Sequence, residues 1–590
     1  MLIRRYFGGV HHAHYNMAAN IQIEPEPQAS ALRNDKDSKH PASLSDNGIH
    51  WDANFPLQRR PLHRSSSGKP LKGRGSLKET GSTKPHVSLH QHAALPSQEL
   101  LVYAGVIAFL FVYIHQHINQ LSKEKAFNLK YLSDGWSLFG QRKKDVSHDQ
   151  WTAFVVTMTR PSVVLSYIAY ITLGQLVLLA PQFRKVFMLL FSTLWIYLGL
   201  GIKVLGVLLL HSFIVYIVSQ SRRQMLVWAT VLLAISSVLV DPIITIQERY
   251  LGNTQDGTVC ILISSLRLLC FGLEFCRKSK AEKPSTGYNL FDLLLFNFYL
   301  PVFPYGPLVS YDTFLAQINV EVKPLSGKEL KMICIEIIRC VIWAALTEGI
   351  THFLYFGAMT NHYKTLTTLD AKDLSFLALY HLFFFQLSTF VPYSFSRIIA
   401  LFDRIDVPQP PICILSIHFF RDMWRYFDRG LNAMLTKYIY IPLGGSQHGP
   451  LRQSLAALVC FLFVAFWHGG GQIYFTWALL NWIGVQVEVA ALAFSRYFGP
   501  LQKLQKSMSP AMLRRFYAAC AVPNYLFLAV SNLVFVIGPS KTRYFVYSMI
   551  FKDWPWNILG ITVAFYCCMQ VVNEVERRVG KKLLLSKKYL

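Results

Sequence analysis

Charge is what this 590-residue chain lacks. Asp, Glu, Lys and Arg make up only 15% of it, while apolar residues reach 52%. A soluble globular protein carries about 25% charged residues, so the deficit excludes an ordinary cytosolic enzyme. The apolar content likewise excludes a disordered or collagen-like chain. Cysteine is sparse too: ten residues, all between Cys260 and Cys568 and mostly inside apolar runs. They show no regular disulfide spacing and no C-x-x-C pair, so they point to neither a disulfide framework nor zinc or thiol redox chemistry. Buried free cysteine behaves as a small hydrophobe, and the redox compartment stays open. No run of alternating strands supports a membrane barrel. No internal repeat supports an inverted-repeat transporter.

What charge there is leans basic, with 58 Lys and Arg against 33 Asp and Glu, a net +25. In a membrane protein such an excess gathers in cytoplasmic loops and sets topology, so no nucleic-acid partner is implied. Residues 1–97 are polar and hold nine of the nineteen histidines. Their "SSSGKPLKGRGSLKETGSTKP" cannot bury a core and reads as a disordered basic tail. The histidines there read as part of a solvated tail rather than as a metal site. The opening "MLIRRYFGGVHHAHYNM" has no apolar stretch of secretory-signal length; a transit peptide is the alternative.

From Glu99 the chain changes character. Apolar runs follow one another at 99–118, 151–180, 183–219, 224–245, 258–275, 331–357, 374–401, 451–467, 472–494, 516–537 and 554–573. Several reach the roughly 20 residues needed to cross about 30 Å of hydrocarbon, and the run 183–219 has room for two crossings around Gly199 and Lys203. In lipid only helices or closed barrels satisfy their own backbone. The expectation is an all-α polytopic membrane protein, a bundle of about ten to twelve transmembrane helices. It divides into the tail 1–97, a membrane domain 98–575 and a cytosolic basic tail 576–590. The stretch 407–450, with Pro and Gly throughout, is too polar and broken to span and reads as re-entrant or interfacial.

Candidate chemistry concentrates at few positions. His468 ends the apolar helix "LAALVCFLFVAFWHGGG". An ionisable side chain there is a functional hypothesis by default, and the glycines that follow end the helix and permit close backbone approach. The plainer reading is a histidine snorkelling to the interface or bonded to a carbonyl. "MWRYFDRGLNAML" reads as one amphipathic helix, placing Trp424, Asp428 and Leu431 on a common face. Arg425 and Arg429 beside Asp428 make a plain ion pair the competing reading. His418 and His448 are weaker candidates. Glu336, Glu348 and His352 lie within an apolar run. They suit either a proton path, as in a proton-coupled transporter, or packed hydrogen-bonded interior positions. Arg267, Glu274 and Arg277 read as boundary residues at a span end.

"MWRYFDRGLN", "YIYIPLGGSQHG" and "FWHGG", with "FNFYLPVFPYGPLVSYDTF" upstream, resemble the membrane-bound O-acyltransferases over roughly residues 98–575. Within that family the resemblance is to the members that palmitoylate the N-terminal cysteine of secreted Hedgehog-type signalling proteins. It implies palmitoyl-CoA as acyl donor, His468 and Asp428 as catalytic residues, and Trp424 and Arg425 along the acyl-CoA passage. It further implies Asn532 beside the thioester and Cys413, in "PPICIL", as a haem-iron ligand. The site would then open to both membrane faces as a central tunnel, with membrane lipids around it. Arg421, Arg425, Lys437 and Arg452 would be available to the CoA phosphates or simply obey positive-inside topology. Imidazole suits the base of acyl transfer, its unperturbed pKa of about 6.5 lying near working pH. A relative acting on a lipid or glycerol-type acceptor is the alternative, and an acyl-CoA-binding scaffold would be expected to have lost the histidine. Lys587 and Lys588 resemble a di-lysine retrieval signal of the endoplasmic reticulum.

Overall fold

A computed structural model describes residues 93–239, 255–278 and 287–586. The tail 1–92, its histidines and the di-lysine pair lie outside the described residues. Among them the chain forms twenty α-helices and one small hairpin. The first is α1 (Ser97–Lys125), followed by strands β1 (Leu132–Asp134) and β2 (Lys143–Asp145). Next come α2 (Asp149–Met158), α3 (Pro161–Val177), α4 (Arg184–Gln220), α5 (Gln224–Ser236), α6 (Gln255–Arg277), α7 (Leu290–Phe298) and α8 (Tyr311–Ile318). The middle of the chain gives α9 (Gly327–Phe353), α10 (Phe356–Asn361), α11 (Tyr363–Leu366), α12 (Ala371–Phe402), α13 (Phe420–Tyr426) and α14 (Arg429–Leu435). The last third gives α15 (Pro450–Trp467), α16 (Gln472–Tyr497), α17 (Gly499–Ser507), α18 (Pro510–Ile537), α19 (Pro539–Tyr547) and α20 (Trp556–Ser586). The all-α polytopic class holds.

Eight described helices are long and apolar enough to cross a membrane, or nine if α2 and α3, bent by 66° at their junction, count as one span. The ten to twelve read from the sequence come down for physical reasons. The run 183–219 counts as one span, although non-helical backbone at Gly201 (φ 84°, ψ 166°) divides it into two helices between Gly199 and Lys203, where the sequence allowed a break. α5 is only 13 residues long. α9 carries Glu336, Arg339 and Glu348 in its interior and falls outside the set. At the other end, the basic stretch after Val575 continues α20 as helix to Ser586.

Interior irregular backbone is satisfied by side chains, as a water-poor interior requires. Arg267 is buried rather than at a boundary: its guanidinium donates to the carbonyls of Asn297 (2.9 Å) and Val302 (2.5 Å) and lies over the Phe303 ring. Asn297 donates to Ser212 and Ser264 hydroxyls on α4 and α6. Asp403, just past α12, accepts from the Tyr170 and Tyr299 hydroxyls at 2.7 Å each. These three knots hold the Pro-rich stretch 299–310 deep in the bundle.

Glu348 and His352 are packed interior groups. Glu348 pairs with Lys144 of β2 and accepts from the Trp151 indole at 2.8 Å, all three residues being buried. His352 Nδ1 donates to the Glu348 carbonyl (2.9 Å), and its Nε2 accepts from the Trp136 backbone amide (3.1 Å). The residues read as a possible proton path thus fasten the hairpin to α9. Glu336 lies elsewhere, in an outward i,i+3 pair with Arg339 at 3.5 Å.

This arrangement predicts unequal costs. Glu348→Leu strands the buried Lys144 ammonium and should cost about 3–5 kcal/mol. Glu336→Gln, at a partly exposed pair, should cost under about 1 kcal/mol. Thermal unfolding in detergent reads both, and equal midpoints for the two variants would contradict the fastening role.

Candidate active site

The stretch 419–435 does not form one helix. α13 ends at Tyr426, Asp428 adopts extended backbone (φ −123°, ψ 90°), and α14 starts at Arg429. The shared face of Trp424, Asp428 and Leu431 is therefore absent. Instead Asp428 is the N-cap of α14. One carboxylate oxygen accepts from the Leu431 amide (2.9 Å) and the other from the Tyr393 hydroxyl of α12 (2.7 Å). Asp in this position satisfies an amide that the helix leaves without an internal partner. No ion pair to Arg425 or Arg429 forms among the described residues.

α13 is anchored by a second carboxylate that the sequence reading missed. Glu488 of α16 accepts from the Phe420 amide, from the Asn524 side chain (2.9 Å) and from the Arg421 guanidinium (3.4 Å). An acid inside the apolar run 472–494 was the available signal. Two glycines permit the fit. A Cβ on Gly484 would overlap the Phe420 ring, and one on Gly430 would overlap the Leu308 carbonyl of the Pro-rich stretch. α14 thus lies backbone to backbone on that stretch.

His468 caps the C-terminal end of α15, its amide bonded to the Val464 carbonyl (2.9 Å). Gly469 and Gly470 follow at φ 119° and 63°, conformations costly for other residues, and turn the chain into α16. The imidazole is fully buried. Tyr474 stacks on it with centroids 5.5 Å apart, Trp467 lies at 4.8 Å and Phe535 of α18 at 5.1 Å. The rings continue in two directions. From Phe535 they pass to Trp477 (5.1 Å) and on to Trp424 (5.4 Å). They pass also to Phe385 (5.7 Å) and on to Phe427 (5.2 Å), the residue before Asp428. Thus one continuous set of ring contacts joins Trp424, His468 and Phe427, the residue before Asp428, although 40 residues separate Asp428 and His468 in sequence.

Asn532 sits one turn before Phe535 on the same face of α18 and is buried. One of its amide protons goes to the Leu528 carbonyl (2.9 Å). Arg425 is half-buried against the Tyr426 ring. Two of the candidate CoA-facing cations are engaged elsewhere: Arg421 with Glu488, and Lys437 with Glu274 and Asp312, both at 2.9 Å. Arg452 donates to the Leu443 carbonyl. His418 packs against Tyr525, remote from the His468 rings in the contact network. Cys413 is exposed and heads the short turn Ile414–Ser416. No group of three His, Cys, Asp or Glu side chains among the described residues is arranged to hold a metal ion.

Known proteins share this chain's pattern. It is 28% identical to mouse protein-cysteine N-palmitoyltransferase HHAT over 74% of this chain and 89% of that protein. It is equally similar, 28%, to the mouse HHAT-like protein over 82% and 96%. It is 26% identical to membrane-bound O-acyltransferase gup1 of Schizosaccharomyces pombe over 88% and 96%. Residues 164–531 match the membrane-bound O-acyltransferase family, a span that takes in the interior helices, the re-entrant segment and His468 alike. The chain belongs to the membrane-bound O-acyltransferase family.

Proposed function

We propose that this acyltransferase moves palmitate from palmitoyl-CoA to the N-terminal cysteine of secreted Hedgehog-type proteins, in the membrane of the endoplasmic reticulum. The observation that carries the reading is His468: an imidazole enclosed by aromatic rings at a glycine-terminated helix end, packed against Phe535 of the helix that carries Asn532. Two relatives named for protein-cysteine N-palmitoylation, from mouse and Drosophila melanogaster, support the acceptor. The yeast relatives carry only the name of an O-acyltransferase, and a lipid or glycerol-type acceptor is the second reading.

In this reading the α-amine attacks the thioester carbon. His468 removes the amine proton, Asn532 stabilises the oxyanion, the C–S bond breaks and CoA leaves as thiol once it regains the proton. The α-amine, with an ordinary pKa of about 7.7–8.0, needs little activation. Attack by the thiol followed by an S-to-N shift gives the same amide, because both groups belong to one residue. The aromatic enclosure keeps water from the thioester. Asp428 acts by fixing α14 and with it the wall that carries Trp424 and Phe427. The domain division, with residues 98–575 as the catalytic unit, belongs to the same proposal. So does haem. The exposed Cys413 thiol is the residue that would hold the haem iron. Haem bound there would supply an iron–thiolate centre, with no step of acyl transfer passing through it.

Three outcomes are expected. His468→Ala should lower transfer by about 10²–10⁴-fold at near wild-type expression and membrane insertion; wild-type turnover would remove the base assignment. A peptide with N-terminal cysteine should acquire a hydroxylamine-resistant label, and acetylating its α-amine should stop stable labelling. Acylation of lipid alcohols with all such peptides ignored would favour the lipid reading. Purified protein should show a Soret band that Cys413→Ala removes; absence of the band when haem is supplied would leave Cys413 as a packing residue.

A further inference from the structure

Away from His468, a cavity of about 310 Å³ opens where α2 meets α3, between those helices, the kink of α4 and the start of α6. Gln150 lines it. This side chain is only 8% exposed, and neither its amide nitrogen nor its amide oxygen has a hydrogen-bond partner among the described residues. A buried amide left with nothing to bond is costly. Such a group in a native interior calls for an occupant that both donates and accepts.

The lining says what kind. Gln150, Thr157 and Arg160 succeed one another along one side of α2 into the bend, at spacings of seven and three residues. Gln150 and Thr157 are about 10 Å apart along the axis. The facing wall is apolar, made by Trp195, Leu198 and Val259. Trp195 spends its indole N–H on Ser166 at 3.0 Å, so only its ring faces the space. Leu198 is 73% exposed on the outer surface of α4, so the cavity borders the lipid-facing side of the bundle. The break at Gly201 and the 66° bend between α2 and α3 leave the room. At about 30 Å³ per water the space equals roughly ten waters, slim enough for a polar head and part of one chain but not for two.

We propose that this cavity binds a single-chain neutral lipid with a hydroxyl-bearing head of the monoacylglycerol class. The head hydrogen-bonds Gln150, and the chain runs past Trp195 and Leu198 into the bilayer. The site is separate from the acyl-donor site and does not depend on the acceptor proposed above.

A monoacylglycerol carrying a diazirine near its head and a terminal alkyne tests this on the full-length protein in nanodiscs. Photolabelling should map to residues 149–166 or 195–200 and be competed by unlabelled monoolein. Labelling should fall at least fivefold in Gln150→Leu and in Ala153→Trp, which fills the space, and persist in His468→Ala. Monoolein should raise the melting temperature of the wild type but not of Gln150→Leu, a near-isosteric change that removes the unpartnered amide and keeps the protein folded. Labelling unchanged in Gln150→Leu, or absent from these segments, would overturn the proposal and leave the cavity to water. Displacement of the probe by an N-terminal-cysteine peptide but not by monoolein would overturn it in favour of a peptide occupant.

Discussion

Two buried carboxylates hold the re-entrant segment in place. Inside a membrane bundle no water satisfies the first amides of a helix, so a short interior helix needs an acceptor from the protein itself. Glu488 supplies one at Phe420, and Asp428 supplies one at Leu431. Without them α13 and α14, seven residues each, are too short to be stable by propensity alone. Everything that brings Trp424 and Phe427 against the rings around His468 follows from those two caps. Gly430 and Gly484 then let the caps close, because each allows a contact that a Cβ would block.

The aromatic enclosure is the second constraint. Ring pairs at 5–6 Å contribute about 0.5–1.5 kcal/mol each beyond the area they bury. Joined from Trp424 to Phe427 through Trp477, Phe535 and Phe385, they link α12, α13, α16 and α18 around the end of α15. The histidine at the centre is fully buried among these rings. The same rings explain why Phe535, rather than Asn532 alone, matters to the site: it is the common neighbour of His468, Trp477 and Phe385.

The helical bundle was legible in the sequence because membrane spans announce themselves through length and apolarity. The helix end at His468 was legible because an ionisable group before three glycines breaks an apolar run. The break at Asp428 was not. Its i,i+4 pattern continues smoothly from Trp424 to Leu431, and the competing acceptor, Asp428's own side chain on the Leu431 amide, has no signature apart from the residue type. Glu348 and His352 were legible as special but not as structural, because their partners Lys144, Trp151 and Trp136 lie about 200 residues away. Glu488 stood in plain view within a span, yet what it caps is 68 residues distant. Arg267 looked like a boundary residue because the carbonyls it serves belong to irregular backbone that no periodicity reveals.

We propose that the thioester arrives between His468 and Asn532. The most direct measurement is a structure of the protein with a non-hydrolysable palmitoyl-CoA analogue. The account predicts the carbonyl group that replaces the thioester within hydrogen-bond reach of the Asn532 amide, with the His468 imidazole on the face an amine would approach and the acyl chain along the Trp424 wall. An analogue seated with its carbonyl away from both residues, while His468 stays sealed behind Tyr474 and Phe535, would contradict it.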